Sequence, residues 1–362
     1  MRKLVVALGM LAACGGSAAP KKVVKPVEKV EEVKPPPPPP PKPLTLEERL
    51  QVHATCFADF IAEVPESFTR CYTVDSTQSL VDAGEPAQGT PAIAADTRPL
   101  WESFKLTGEQ RMVLANGDKV LTIALYRGTH DGKPWMGLPA TGKVFGVFAA
   151  EVMNLDDQGR HGNVRMYVDL SGMTAQLGGA PKGTAFRKPY DVTGREPYQA
   201  IATGSDVETA NVATVQDAFA RFNQRDWKGL TGLYTSDAAI SEQTAPADIE
   251  GSKAIGKYFA ELGKGFPDAQ QTVDDIWAAG DFVVVESTFA GTNNGALPSM
   301  GVKKATKKPV TLHDAHVFRL DQGKILQHWI FGNGMAAAIQ LGLVQPPAAP
   351  PAPADAAPAP SK

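Results

Sequence analysis

The chain has 362 residues with 36 Lys and Arg against 39 Asp and Glu, a net charge of −3. Its basic residues are scattered rather than clustered, which argues against nucleic acid as a partner. Cysteine occurs at 14, 56 and 71 only, and no Cys/His spacing suits zinc, so no zinc site is expected.

The first segment, 1–13, has Arg2 and Lys3 followed by an apolar run from Leu4 to Ala13, too short to span a bilayer. Leu11-Ala12-Ala13-Cys14 resembles the lipobox cut by bacterial lipoprotein signal peptidase. That resemblance implies lipidation of Cys14 and anchoring to a membrane through the N-terminal lipid. The alternative is an ordinary secretory signal in which the cysteine is coincidental. Gly15 follows, with no Asp to retain the chain at the inner membrane, so an outer-membrane address in the cell envelope is the expectation. Residues 14–44 form a tether that includes an unbroken proline run, Pro35 to Pro41. Polyproline II geometry gives such a leash a reach on the order of 90 Å. Residues 346–362 are a Pro/Ala tail that cannot build a core.

Between tether and tail the chain repeats itself. Gly117-Asp118 returns as Gly280-Asp281, and Gly128-Thr129 with Gly132 returns as Gly291-Thr292 with Gly295. Asp157-Gln158-Gly159 returns as Asp321-Gln322-Gly323, and Gln176-Leu177-Gly178 as Gln340-Leu341-Gly342. A period this long means duplicated domains. The division is 45–179 for domain 1, 180–208 for a linker and 209–345 for domain 2.

Each copy opens with a helix. Thr45 and Glu48 make a capping-box pattern ahead of Leu46, Leu50, Phe57, Phe60 and Val64; Val212, Val215, Phe219 and Phe222 repeat the spacing. Further amphipathic stretches run near 99–104 and 252–262. Strands are expected at 119–127 and 282–289, at 144–154 and 310–320, and, after the Asp-Gln-Gly hairpin turn, at 163–169 and 325–333. Helices followed by a meander indicate an α+β domain, its helices packed on one face of an antiparallel sheet. The two copies are expected to pack on each other within the chain.

Gly128-Thr129-His130-Asp131-Gly132 with 137–143, and Gly323-Lys324-Ile325, His328-Trp329 and Gln340-Leu341-Gly342, resemble the SnoaL-like polyketide and ester cyclases. The resemblance covers nearly all of residues 45–345, once per copy. It implies the cone shared with scytalone dehydratase and ketosteroid isomerase, whose interior houses the active site. It also implies cofactor-free chemistry by an aspartate, whose position falls on Asp169 in domain 1 and on Asn333 in domain 2. An amide cannot accept a proton near neutral pH, so the second copy is expected to be inactive as a cyclase.

Strand alternation puts Arg165, Tyr167 and Asp169 on one face. Either that face lines the cone, with Tyr167 donating to an enolate and Arg165 orienting an anion, or it is a solvated edge or a contact between domains. His130 belongs to the family-like loop and is the remaining catalytic candidate. Trp135, Trp329, Phe331 and Asn333 are candidates for a pocket wall. His313, Asp314, His316 and His328 cluster on neighbouring strands, but His313 points away from the others. Cys56 and Cys71 are either joined or separately buried. Three functions follow. The first is a binding module for a small apolar molecule; the second is an isomerase- or cyclase-like enzyme using Asp169; the third is a structural interaction protein. An open apolar cone without Asp169 favours the first.

Overall fold

Two capping boxes set the frame. In this computed structural model, which describes residues 41–180, 182–298 and 301–345, helix α1 (Leu46–Ile61) starts with Thr45 and Glu48 exchanging hydrogen bonds. Its counterpart in the second half starts the same way on Ser205 and Glu208. The expected signal segment, Cys14 and the Pro/Ala tail lie outside the described residues. Among the described residues no helix is long and apolar enough to cross a membrane.

Domain 1 continues through α2 (Ser67–Cys71), β1 (Tyr72–Leu80), β2 (Ala87–Gln88), α3 (Thr90–Ser103), β3 (Phe104–Asn116), β4 (Lys119–His130), β5 (Val144–Asn154), β6 (His161–Val168), α4 (Leu170–Gln176) and β7 (Tyr198–Ile201). Domain 2 has α5 (Asp206–Gln224), α6 (Trp227–Gly232), β8 (Tyr234–Glu242), β9 (Ile249–Glu250), α7 (Ser252–Gly265), β10 (Gln270–Ala279), β11 (Phe282–Thr292), β12 (Pro309–Asp321), β13 (Lys324–Phe331) and α8 (Gly334–Gln340). The sheets run β2-β1-β6-β5-β4-β3-β7 and β10-β11-β12-β13-β8-β9, the same order in both copies apart from β7. That strand lies inside the expected linker and pairs parallel with β3. Both copies also carry a register shift at one place, between Gln110 and Met112 and between Val273 and Asp275. A bulge there bends the strand and strengthens its twist.

Cys56 on α1 is joined to Cys71 at the end of α2. One face of each sheet is covered by its own helices, as in the cluster of Val215, Phe219, Ile255, Phe259, Val285 and Phe318. The other face packs on the neighbouring domain: Leu114, Leu121, Ile123 and Tyr167 meet Phe282, Val284, Val317 and Phe331. The central strands are therefore buried on both faces, and β4 from Val120 to Tyr126 has no exposed residue. This is why the polar–apolar alternation used to find strands fades along β4 and over Met112–Ala115 of β3.

Candidate functional site

Arg165 and Tyr167 do not line a cavity. Arg165 donates through Nε and Nη2 to Glu286 Oε1 and Oε2 of domain 2, at 2.6 and 2.7 Å, and Tyr167 Oη donates to Glu286 Oε1 at 2.6 Å. Trp329 and Phe331, expected in a pocket wall, likewise pack into the core between the domains. Strand alternation alone leaves open which face of β6 points inward; the second sheet decides it, because it covers the face carrying these side chains.

Asp169 caps α4. Its Oδ1 accepts from the Ser171 N–H and hydroxyl, its Oδ2 from the Gly172 N–H, and the Gly334 N–H of domain 2 donates to it as well. Burial raises its pKa to about 6 against the pull of these donors. Asn333 caps α8 in the same way through Oδ1, while its Nδ2 donates to the Val81 and Asp82 carbonyls of domain 1 at 3.2 and 3.4 Å. An aspartate at 333 would have no donor for those carbonyls. The Asp/Asn difference between copies thus has a packing cause. His130 is fully buried against Phe104, its Nε2 3.1 Å from the Lys133 carbonyl, and it steadies the loop that follows β4.

Each cone encloses a cavity. That of domain 1 measures about 120 Å³, with Trp135 in its wall beside Leu100, Leu106, Phe145 and Met173; Asp169 is not among its lining residues. Beneath it Tyr126 Oη donates to the buried Glu151, whose pKa burial raises to about 7. Also buried there, Gln110 Nε2 donates to His53 Nε2 at 3.0 Å, so His53 keeps its proton on Nδ1 and gives it to His161 Nε2 at 3.0 Å. Burial holds His53 down near 4 and His161 well below its usual range.

The cavity of domain 2, about 110 Å³, carries more chemistry. Its walls are aromatic, and its polar lining includes Glu242, Gln271, Asp314, His316, His328 and Asn333. Gln271 Nε2 donates to His316 Nε2 at 3.3 Å, and Ser287 Oγ lies 3.0 Å from the same nitrogen. His316 therefore donates from Nδ1 to His328 Nε2 at 2.9 Å, and His328 Nδ1 donates to Tyr234 Oη at 3.0 Å. Burial lowers His316 to about 3 and His328 well below the ordinary range, so both are neutral. Glu242 accepts from Tyr258 Oη at 2.7 Å and Thr244 Oγ1 at 2.8 Å. Arg187 of the linker segment holds the Glu242 carbonyl at 2.9 Å and Asp248 at 2.8 Å.

Asp314 differs from all of these. It lines the cavity, and burial, then the Glu242 and Asp82 carboxylates, raise its pKa to about 8. Space for it comes from Gly332, where a Cβ would stand 2.2 Å from Asp314 Oδ1. By strand register the matching pair in domain 1 is Ala149 opposite Val168. Domain 2 has exchanged a small residue facing a valine for a carboxyl facing a glycine. In the sequence the signals were the cluster of Asp314, His316 and His328 on neighbouring strands, which the structure brings to one cavity, and this paired difference between copies, visible once the register is known. His313, on the other face of β12, donates its backbone N–H to Asp82 Oδ2 at 2.8 Å, and its Nδ1 lies 2.7 Å from Oδ1.

Residues 53–177 match the SnoaL-like polyketide cyclase family and residues 215–328 the SnoaL-like domain family. No curated protein matches the chain. Among solved structures, a SnoaL-like protein of Jannaschia sp. CCS1 is 24% identical over 40% of this chain and 97% of its own, with a TM-score of 0.36. TsrD of Streptomyces laurentii is 22% identical over 38% and 99%, with a TM-score of 0.34. A phenazine biosynthesis-related protein of Pseudomonas aeruginosa is 21% identical over 39% and 90%, also with a TM-score of 0.34.

Proposed function

Because the chain is a tandem of two SnoaL-like domains, we propose that it holds a small, largely apolar molecule in the cone of domain 2, as an envelope lipoprotein tethered through Cys14. One observation carries the binding reading: an open cavity with aromatic walls into which a carboxyl, Asp314, projects with no hydrogen-bond partner among the described residues. A half-buried carboxyl facing an apolar cavity without a protein partner gains a hydrogen bond when a ligand's polar end meets it. The ligand's apolar body takes the aromatic walls. The cavity is close in size to voids that hold a single small ring.

A proton-transfer enzyme is the second reading, now resting on Asp314 rather than Asp169. Asp314, whose pKa burial raises to about 8, lines the same cavity as Glu242, which accepts from two hydroxyls, and a carboxyl kept protonated at neutral pH is suited to donate a proton.

Native mass spectrometry of the purified full-length chain tests the binding reading, with a co-purifying small molecule as the expected result. The double variant Asp314→Ala/Gly332→Val copies domain 1's own pair and is expected to fold yet lose the adduct. An adduct that persists in that variant places the ligand elsewhere. For the tether, labelling with an alkyne fatty acid is expected to mark the wild type and not Cys14→Ser; equal labelling would overturn the lipid assignment.

A further inference from the structure

Three acids converge on one end of the domain 2 cavity. Asp314 from β12 and Glu242 from β8 line it, and Asp82 from the domain 1 segment after β1 acts on Asp314 from outside. Around Asp314 the other titratable groups of the lining are Tyr234 on β8, Tyr258 on α7, and His316 and His328 on β12 and β13. Burial keeps both histidines neutral, and it pushes both tyrosines up, so they too are uncharged. No lysine or arginine is among the described lining residues. Arg187 is committed to the Glu242 carbonyl and Asp248, and His313 to Asp82. The site therefore holds negative potential with no internal cation, inside walls that include six phenylalanines and two tyrosines.

Aromatic faces attract cations, most strongly where water is excluded. A carboxyl held protonated at neutral pH by burial and neighbouring acids is shifted towards its ionised form by an arriving positive charge. A neutral apolar ligand would use the walls and leave the acids uncompensated; an anion would be repelled. From these contacts we infer that the domain 2 cavity takes a protonated amine on a compact apolar body, its ammonium group against Asp314 and Glu242. This inference rests on the binding reading and narrows it to a ligand class.

Isothermal titration calorimetry on the full-length chain at pH 7 tests it, using benzylamine and isobutylamine against benzyl alcohol, isobutanol and toluene. The amines are expected to bind at least about tenfold tighter than the matching alcohols. Because Asp314 starts protonated and ends ionised, each amine bound should release about one proton, read by repeating the titration in buffers of different ionisation enthalpy. Asp314→Asn should abolish the proton release and bring each amine to within about threefold of its matching alcohol measured on the same variant. Glu242→Gln, should Asp314→Asn fail to fold, should reduce the preference in the same direction. If alcohols or toluene bind as well as the amines, or the preference survives both variants, the amine assignment falls and the binding reading stands. If none of the five probes binds, the binding reading falls with it.

Discussion

Arg165 of domain 1 holds Glu286 of domain 2 through two parallel hydrogen bonds, and Tyr167 completes the grip. By strand register Trp329 and Phe331 stand where Arg165 and Tyr167 do, and Ile123 stands where Glu286 does. One half of a pseudo-symmetric interface is thus charged and the other apolar. Glu286→Ala is expected to lower unfolding free energy by about 2–3 kcal/mol, since it strands a partly buried guanidinium and a tyrosine hydroxyl. The triple variant Arg165→Trp/Tyr167→Phe/Glu286→Ile, which copies the apolar half, should recover most of that loss. Urea unfolding of both measures it, and a triple variant no better than Glu286→Ala would refute the equivalence of the two halves.

The two helix caps at the interface should respond differently. Asn333→Asp removes the donor to the Val81 and Asp82 carbonyls and adds a carboxylate beside Asp82, so about 2 kcal/mol of destabilisation is expected. Asp169→Asn keeps one acceptor but turns an amide group towards the Gly172 N–H, costing about 1–2 kcal/mol. Thermal unfolding reads both. Ligand binding in domain 2 should survive Asp169→Asn within about threefold, because that side chain serves a cap; loss of binding would return Asp169 to the site.

Stability should peak near pH 6.5. The folded chain keeps Asp314, Glu151 and Asp169 protonated up to about 8, 7 and 6, where unfolded carboxyls have already ionised, so these groups lose stability as pH rises. His53 at about 4 and His316 at about 3, with His161 and His328 also depressed, stay neutral where unfolded histidines charge, so they lose stability as pH falls below 6.5. Between roughly 4 and 6.5 four histidines outweigh three carboxyls; above 6.5 the carboxyls act alone. A loss on the order of 2 kcal/mol from pH 6.5 to 8.5 is expected, flattened in Glu151→Gln/Asp314→Asn. Denaturation midpoints across pH provide the check, and an unchanged alkaline limb in the double variant would contradict it.

Cys56 and Cys71 are fifteen residues apart, and closing a loop of that length stabilises by about 3 kcal/mol in the chain-entropy estimate. Cys56→Ala/Cys71→Ala should lose an amount of that order in equilibrium unfolding, chiefly in domain 1. Wild-type protein with two reactive thiols in denaturant would show that the bond is absent.

Duplication, the first capping box and the Asp-Gln-Gly hairpins were legible in the sequence because each is written in short local motifs: Thr45 with Glu48, or Gly159 and Gly323 at the left-handed positions their turns require. The family resemblance followed from the same local motifs. Which face of β6 points inward was not legible, since period-two alternation separates two faces without saying which is covered. That was settled by the second sheet, which buries Arg165, Tyr167, Trp329 and Phe331 and makes caps of Asp169 and Asn333. The candidate site itself depends on partners far apart in the chain: Gly332 opens the space for Asp314, Glu242 and Asp82 set its charge, and the cavity exists only where α5, α7 and the sheet of domain 2 close on one another. Hydrogen-bond partners, burial and electrostatic crowding are properties of neighbours in space, and only the packed chain specifies those neighbours.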